Sequence, residues 1–295
     1  MIARLRALEI QALAREKLVE YGRMHLPVDP KKFAGQLEIV VLPFNPPQPD
    51  ISGYLMQQGN SFGIGYSTAI RSQGFQNFTV AHELGHYFID DHPMAVLSKG
   101  QHFSRSGYIS KDRFEEEADA FATELLMPWK LIEPIIREGM GGFHTIKAIA
   151  GSCESSIVAS AIRYTQISKE SVAVIVSHLG VVEFMTASNT FKLIPGLDWL
   201  RKRDALPPHV PSVRFSRDRE WIEACDMSEE GGRLSAWFPG ARDCEVQEDV
   251  VGLGNYGRLL TVLLTEECDS EVKDDREDED DYIDRWKQGI FRSKR

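Results

Sequence analysis

The sequence lacks three features that would place it in a specialised class of proteins. It has no apolar run of about 20 residues, the length that a helix needs to span a bilayer. Its four cysteines are widely spaced and form no CxxC pair. It also has no excess of positive charge, because the formal net charge of its 295 residues is -10.

Each absence makes one class of protein less favourable. Widely spaced cysteines fit a reducing cytoplasm better than a disulfide scaffold. Charges interrupt the apolar positions of the first residues, MIARLRALEIQALAREKL, which is unlike a signal peptide. A negative net charge disfavours binding to nucleic acid or to an anionic membrane. We therefore expect a cytoplasmic protein that does not act at a membrane and does not bind nucleic acid directly.

The order of the sequence patterns predicts an α+β protein. Helical periodicity near residues 3–24 is followed by short β-branched and apolar runs, and then by two strong helical patterns. More helices follow up to about residue 167, and two strands joined by a turn come next. From these changes we predict a first domain over 1–140, a helix-turn-helix-like segment over 141–168, an α+β domain over 169–265 and an acidic tail over 266–295.

One stretch of the first domain, FTVAHELGHYFIDDHP, carries the pattern of a metal site. On a helix, His82 and His86 lie one turn apart on one face, so both imidazoles can reach one ion. Zinc accepts such nitrogen ligands in a tetrahedral site. Glu83 points to the side, where it can act on a zinc-bound water instead of binding the metal, as in HExxH metallopeptidases.

The alternative is an ordinary helix with two surface or core histidines. Gly85 argues against it, because glycine costs about 1 kcal/mol in a helix interior. We expect Gly85 to mark the close approach of another element.

A catalytic zinc site needs a third ligand, and the next helix, FEEEADAFATELLMP, offers several carboxylates. Glu115 lies beside the predicted apolar face, whereas Glu116 and Glu117 remain rivals. Asp119, one turn further along, is placed to accept the other ring N–H of a ligand histidine. The alternative to a metal-binding role is that these carboxylates form an ordinary acidic first turn, which the helix dipole favours.

Together, the two helical stretches resemble the ImmA/IrrE family of bacterial metallopeptidases over roughly residues 1–165. The resemblance implies a zincin-like domain of the gluzincin type, with His82, His86 and Glu115 as zinc ligands and Glu83 as the catalytic base. It implies Zn2+ as the cofactor, with Mn2+ able to substitute. The C-terminal region of the chain is similar to the C-terminal region of longer family members. In those members this region is compared with a GAF-type sensor domain, so the resemblance implies a GAF-like C-terminal domain here.

The family implies a zinc-dependent endopeptidase that cleaves a specific protein, typically an Xre-type transcriptional repressor, and so switches on a stress-response or mobile-element regulon. The alternative is a non-catalytic, zinc-containing regulatory protein that sequesters a transcription factor. Glu83 argues against that alternative, because binding alone needs no carboxylate beside the first ligand. In the helix-turn-helix-like segment, the second helix has one basic residue, Arg163, which favours a structural role over DNA binding.

Two further expectations concern the substrate. The strands predicted around SGYLMQ and FGIGYS are candidates for pairing with an extended peptide. Residues 92–112 show no clear period and predict a long loop between the two site helices. In that loop, His92, His102 and Tyr108 are candidate hydrogen-bond donors to the oxyanion of the transition state.

Overall fold

The computed structural model describes residues 4–45, 51–69, 72–97, 101–105, 112–254 and 257–265. Tyr108 and the predicted acidic tail lie outside these described residues. No helix within them is both long and apolar enough to cross a membrane. In chain order, the elements are α1 Arg4–Glu20, α2 Pro30–Gln36, β1 Val40–Phe44, β2 Ile51–Gln58, β3 Ser61–Ser67, α3 Gln73–Phe88, α4 His92–Val96, β4 Gln101–Arg105, α5 Arg113–Leu126, α6 Trp129–Glu138, α7 Gly142–Cys153, α8 Ile157–Ile167, β5 Ser171–His178, β6 Val181–Ala187, α9 Asn189–Lys192, α10 Pro211–Phe215, α11 Arg219–Glu223, β7 Met227–Arg233, α12 Leu234–Trp237, β8 Glu245–Gly252 and β9 Arg258–Thr265.

A four-stranded sheet in the N-terminal half has the order β1-β3-β2-β4. The strands predicted around SGYLMQ and FGIGYS are confirmed as β2 and β3, which pair antiparallel. Leu55 and Ile64 are buried on the inner face of this sheet, which packs against α3. The prediction that β2 or β3 pairs with a substrate is wrong, because each of these strands already has a neighbouring strand on both sides.

The segment between α3 and α5 corrects a second prediction. In place of a loop without structure, it contains the short helix α4 and the strand β4. Each has only five residues, too few to show a period in the sequence. β4 pairs antiparallel with β2 and forms one edge of the described sheet, so it brings its side chains to the face that packs on α3.

Helices α3 and α5 pack unusually closely where α3 carries Gly85. A Cβ atom added at Gly85 would lie 3.1 Å from the Cα atom and 3.2 Å from the carbonyl oxygen of Ala118 on α5. The close approach that this glycine predicts is therefore confirmed. Ser72 caps α3 by accepting a hydrogen bond from the Phe75 N–H, at 3.3 Å.

A buried ion network ties α5 to α1 and α8. The carboxylate of Glu124 is fully buried and lies 3.0 Å from the Arg15 guanidinium, and it also pairs with Arg163. Arg163 Nε donates a further hydrogen bond to the Met127 carbonyl, at 3.0 Å. The one basic side chain of the predicted recognition helix is thus 3% exposed and engaged in the core, where it cannot contact a phosphate.

The C-terminal half forms an antiparallel sheet of order β6-β5-β9-β8-β7, in keeping with the predicted α+β class. One face of the sheet joins the main core through Val172, Val174 and Val262, and the other covers a second cluster around Trp237. Asp249 on β8 accepts a 2.8 Å hydrogen bond from the backbone N–H of Phe143, in the first turn of α7. The core is therefore continuous across residue 168, and the division into domains stays a prediction.

Replacing Gly85 by valine tests the helix contact. We expect the free energy of unfolding to fall by about 1–3 kcal/mol, because the new side chain overpacks the α3–α5 interface. The matched control is Gly151→Val on α7, where a Cβ atom meets nothing within 4 Å. That variant should be neutral or slightly stabilising, since valine has the higher helix propensity. Equal losses in denaturant unfolding of the two variants would contradict the packing account.

Candidate metal centre

Three side chains from α3 and α5 converge on one point. His82 Nε2 lies 3.1 Å from His86 Nε2. The Glu115 carboxylate oxygens lie 3.4 Å from His82 Nε2 and 3.3 Å from His86 Nε2. A tetrahedral zinc ion with bonds of about 2.0–2.1 Å holds its ligand atoms about 3.4 Å apart. The two imidazoles and the carboxylate therefore fit a zinc ion in both chemical type and spacing.

Asp119 contacts His82 on the side away from this cluster. Its Oδ1 lies 2.8 Å from His82 Nδ1, so it accepts the Nδ1–H and leaves Nε2 as the ring nitrogen that faces the cluster and is placed to bind a metal in exchange for its proton. Burial alone would lower the pKa of His82, but hydrogen bonds to Asp119 and Glu115 raise that pKa to about 10. The carboxylates thus favour a positive charge at this position, as a cation site requires.

The charge of Glu115 is held by the surrounding imidazoles. Burial by itself raises the pKa of this carboxyl, but hydrogen bonds with His102, His82 and His86 bring the pKa far below its usual range. Glu115 is therefore ionised and can act as an oxygen donor to a metal. Its neighbour Glu116 is not part of the three-residue group.

Glu83 lies next to the group without belonging to it. The side chain is fully buried, and its Oε1 accepts a 2.7 Å hydrogen bond from Ser104 Oγ. Its Oε2 is also buried and makes no hydrogen bond within the described part of the chain. Burial raises the pKa of Glu83 to about 7, although the nearby His82 opposes the shift. A carboxyl with this pKa and one oxygen uncommitted is suited to taking up and releasing a proton near neutral pH.

Two neighbours of Glu83 were not predicted from the sequence. Ser104 lies on β4, a strand that no periodicity revealed. Gly53 lies on β2, and a Cβ atom there would come within 3.0 Å of Glu83 Oε1 and collide with the Thr79 side chain. A glycine in a strand interior is the one sequence signal that indicates such a close approach.

The structure places the candidate oxyanion donors His92 and His102 differently with respect to the site. His102 on β4 lies in the site, with its Nε2 2.9 Å from Glu115 Oε1, and its role in stabilising an oxyanion stays a prediction. His92 is 1% exposed and lies against Nδ1 of His86, at 3.1 Å, on the side of that ring away from the cluster. A role for His92 in contacting the substrate is therefore wrong, since His86 separates it from the reacting groups. Tyr108 falls outside the described residues.

Glu117, a rival for the third ligand, is also placed elsewhere. Its carboxylate is fully buried, and its Oε2 lies 3.3 Å from His92 Nε2 and 2.8 Å from Arg6 Nη2. It is not part of the three-residue group either. Among the predicted candidates, the geometry therefore brings Glu115 to the two histidines and directs Glu117 away from them.

Helix α3 carries the HExxH pattern and α5 supplies a nearby glutamate, an arrangement that is typical of zinc metallopeptidases. Residues 34–165 match the peptidase family described as the IrrE N-terminal-like domain. The match confirms, for this part of the chain, the resemblance inferred from the sequence and indicates a metallopeptidase.

Comparison with whole proteins adds evidence on the fold. No curated protein matches the chain. Among solved structures, a Mycobacterium tuberculosis transcriptional regulator is similar with a TM-score of 0.54 and 12% sequence identity. The similarity covers 88% of this chain and 76% of that one. It therefore extends beyond the family match into the C-terminal half, and at this identity it describes the fold alone.

The choice of third ligand can be tested with two adjacent glutamates. We expect Glu115→Gln to weaken zinc binding by more than about 100-fold, since the loss of an outer partner of a ligand alone costs 10–100-fold. Glu116→Gln, one position along the same helix turn, should bind zinc as the parent does. The measurement is competition with a chromophoric chelator. Parental affinity in Glu115→Gln would refute the assignment of Glu115.

Proposed function

We propose that the protein is a zinc-dependent endopeptidase of the cytoplasm that cleaves a specific DNA-binding repressor of the Xre type. Cleavage would switch on a stress-response or mobile-element regulon. The observation that carries the proposal is the separation of roles within the site. His82, His86 and Glu115 converge as a ligand set, whereas Glu83 is buried beside them with one uncommitted oxygen.

The proposed reaction is hydrolysis of a peptide bond by water. Zinc, when bound, supplies a Lewis acid and lowers the pKa of a water to about 7. Glu83 takes the proton from the attacking water and returns it to the leaving amine. Because Ser104 Oγ holds Oε1 of Glu83, Oε2 is the oxygen left to carry this proton. Mn2+ accepts nitrogen and oxygen ligands too, and we propose that it can substitute.

A peptide substrate is supported by the position of β4. Within the described residues, this strand has β2 on one side and no strand on the other. Its alternate residues His102 and Ser104 contact Glu115 and Glu83 respectively. A peptide that pairs with the outer side of β4 would therefore run directly past the site. We therefore propose the outer edge of β4, instead of β2 or β3, as the strand edge that pairs with the substrate.

Several observations support a regulatory protein as the substrate. The similar Mycobacterium tuberculosis protein is named a transcriptional regulator. In this chain, Arg163, the one basic side chain of the second helix of the helix-turn-helix-like segment, is buried, and the net charge is negative. We therefore expect the substrate to be the protein that contacts DNA, and this peptidase to bind that protein.

The variant Glu83→Gln separates cleavage from sequestration. General-base catalysis contributes about 100- to 10,000-fold, so this variant should lose almost all cleavage while it keeps zinc and still binds the substrate. The matched control is Asp90→Asn, an exposed carboxylate just after α3, which should cleave like the parent. The assay is incubation with the repressor encoded beside the gene, read by gel and mass spectrometry, with a chelator control and reporter expression in cells.

The sequestration alternative predicts a different outcome. If Glu83→Gln released the target genes at the parental level while the repressor stayed intact, binding would replace peptide hydrolysis as the function.

A further inference from the structure

We propose that the N-terminal helix α1 is a functional part of the metal centre, because its half-buried Arg6 holds the outer end of a chain of contacts that runs through the buried Glu117 and His92 and positions the ligand His86. The inference rests on the proposed zinc site. It extends beyond the family match, which begins at residue 34, whereas α1 ends at Glu20.

The chain of contacts has three steps after Arg6. Arg6 Nη2 lies 2.8 Å from Glu117 Oε2. The same carboxylate oxygen lies 3.3 Å from His92 Nε2, and Arg113 binds the other oxygen. His92 Nδ1 then lies 3.1 Å from His86 Nδ1. The path thus leads from α1 through α5 and α4 to the ligand face of α3.

The donors and acceptors along this path are consistent with one arrangement of protons. A carboxylate held by two guanidinium groups is ionised and accepts the Nε2–H of His92. A neutral His92 then has its lone pair on Nδ1 and accepts the Nδ1–H of His86. His86 is left with its lone pair on Nε2, the atom that faces the cluster. An imidazole presented in this way is ready to bind a metal.

Burial makes the arrangement depend on Arg6. His92 and Glu117 are almost completely enclosed, at 1% and 0% side-chain exposure. A buried carboxylate is stable in its charged form only when it is paired. Arg113 lies on the same helix as Glu117 and is 63% exposed, so Arg6 is the partner supplied by a separate element. Helix α1 therefore supplies the first residue of the chain of contacts that ends at His86.

The same pair of helices provides a matched control. Arg15 on α1 lies 3.0 Å from the buried Glu124 on α5. This contact joins α1 to α5 as the Arg6 contact does, but the partners of Glu124 among the described residues are Arg15, Arg163 and the Trp129 N–H, and not the metal-site histidines. A purely structural role for α1 would make the two arginines equivalent. The proposed role distinguishes them by their effect on zinc binding.

The experiment compares Arg6→Gln, Arg15→Gln, Glu117→Gln and His92→Leu in the full-length protein. The zinc dissociation constant is measured by chelator competition, and the Co2+-loaded protein gives a visible absorption spectrum that reports ligand geometry. We expect Glu117→Gln and His92→Leu to weaken zinc binding by about 10–100-fold. Arg6→Gln should weaken it in the same direction by a smaller factor. Arg15→Gln should lower the melting temperature of the metal-free protein but keep the parental zinc affinity and Co2+ spectrum.

Three results would overturn the inference. One is an equal loss of zinc affinity in Arg6→Gln and Arg15→Gln, in proportion to their loss of stability. Another is parental zinc affinity and a parental Co2+ spectrum in the conservative variant Glu117→Gln. A parent protein that binds no zinc would overturn the metal centre as well. Because zinc affinity is measured without a substrate, a failure to cleave the repressor would count against the proposed function alone.

Discussion

The close contact of α3 with α5 at Gly85 is the constraint on which the proposed metal centre depends. The two histidines of the cluster are on one helix and the carboxylate is on the other, so the distance between the helices sets the size of the cluster. With no side chain at Gly85, the backbone of Ala118 comes close enough for Glu115 to reach both imidazole nitrogens. A larger residue there would separate the helices and open the ligand set before any ligand was changed.

Electrostatics explains why so many charged groups are held in such a small space. Burial favours the neutral form of a carboxylate, and it does so for Glu83, whose pKa lies near 7. It also acts on Glu115 and Glu117, but imidazole and guanidinium partners keep both of these ionised. Two chemical states of the same residue type are thus produced within one site. The ionised ones are suited to bind a cation or to hold a neighbouring histidine in place, and the near-neutral one is suited to move a proton.

The sequence predicts the parts of this account that arise from local spacing. The one-turn separation of His82 and His86, and the approach at Gly85, follow from helical geometry alone. The strands β2 and β3 follow from short β-branched and apolar runs. The positions of Glu115 and Asp119 on one side of α5 were predicted from their spacing, although Glu116 and Glu117 could not be excluded without the packing of the helices.

The parts that could not be predicted depend on contacts between residues far apart in the chain. β4 has five residues and is a strand because β2 offers it an edge, not because of its own pattern. The support of His86 by His92 and Glu117 joins three helices. Likewise, nothing in the local sequence pairs Arg163 with Glu124, which lies beside it in the core. Single-sequence periodicity carries no information about such pairings.

The first coordination sphere of the metal is measured directly by X-ray absorption at the zinc edge. For the zinc-loaded parent, we expect scattering from two imidazoles and from oxygen donors at about 2.0–2.1 Å, in a four-coordinate site. Sulfur scattering at about 2.3 Å, or the signal of fewer than two imidazoles, would contradict a centre built from His82, His86 and Glu115.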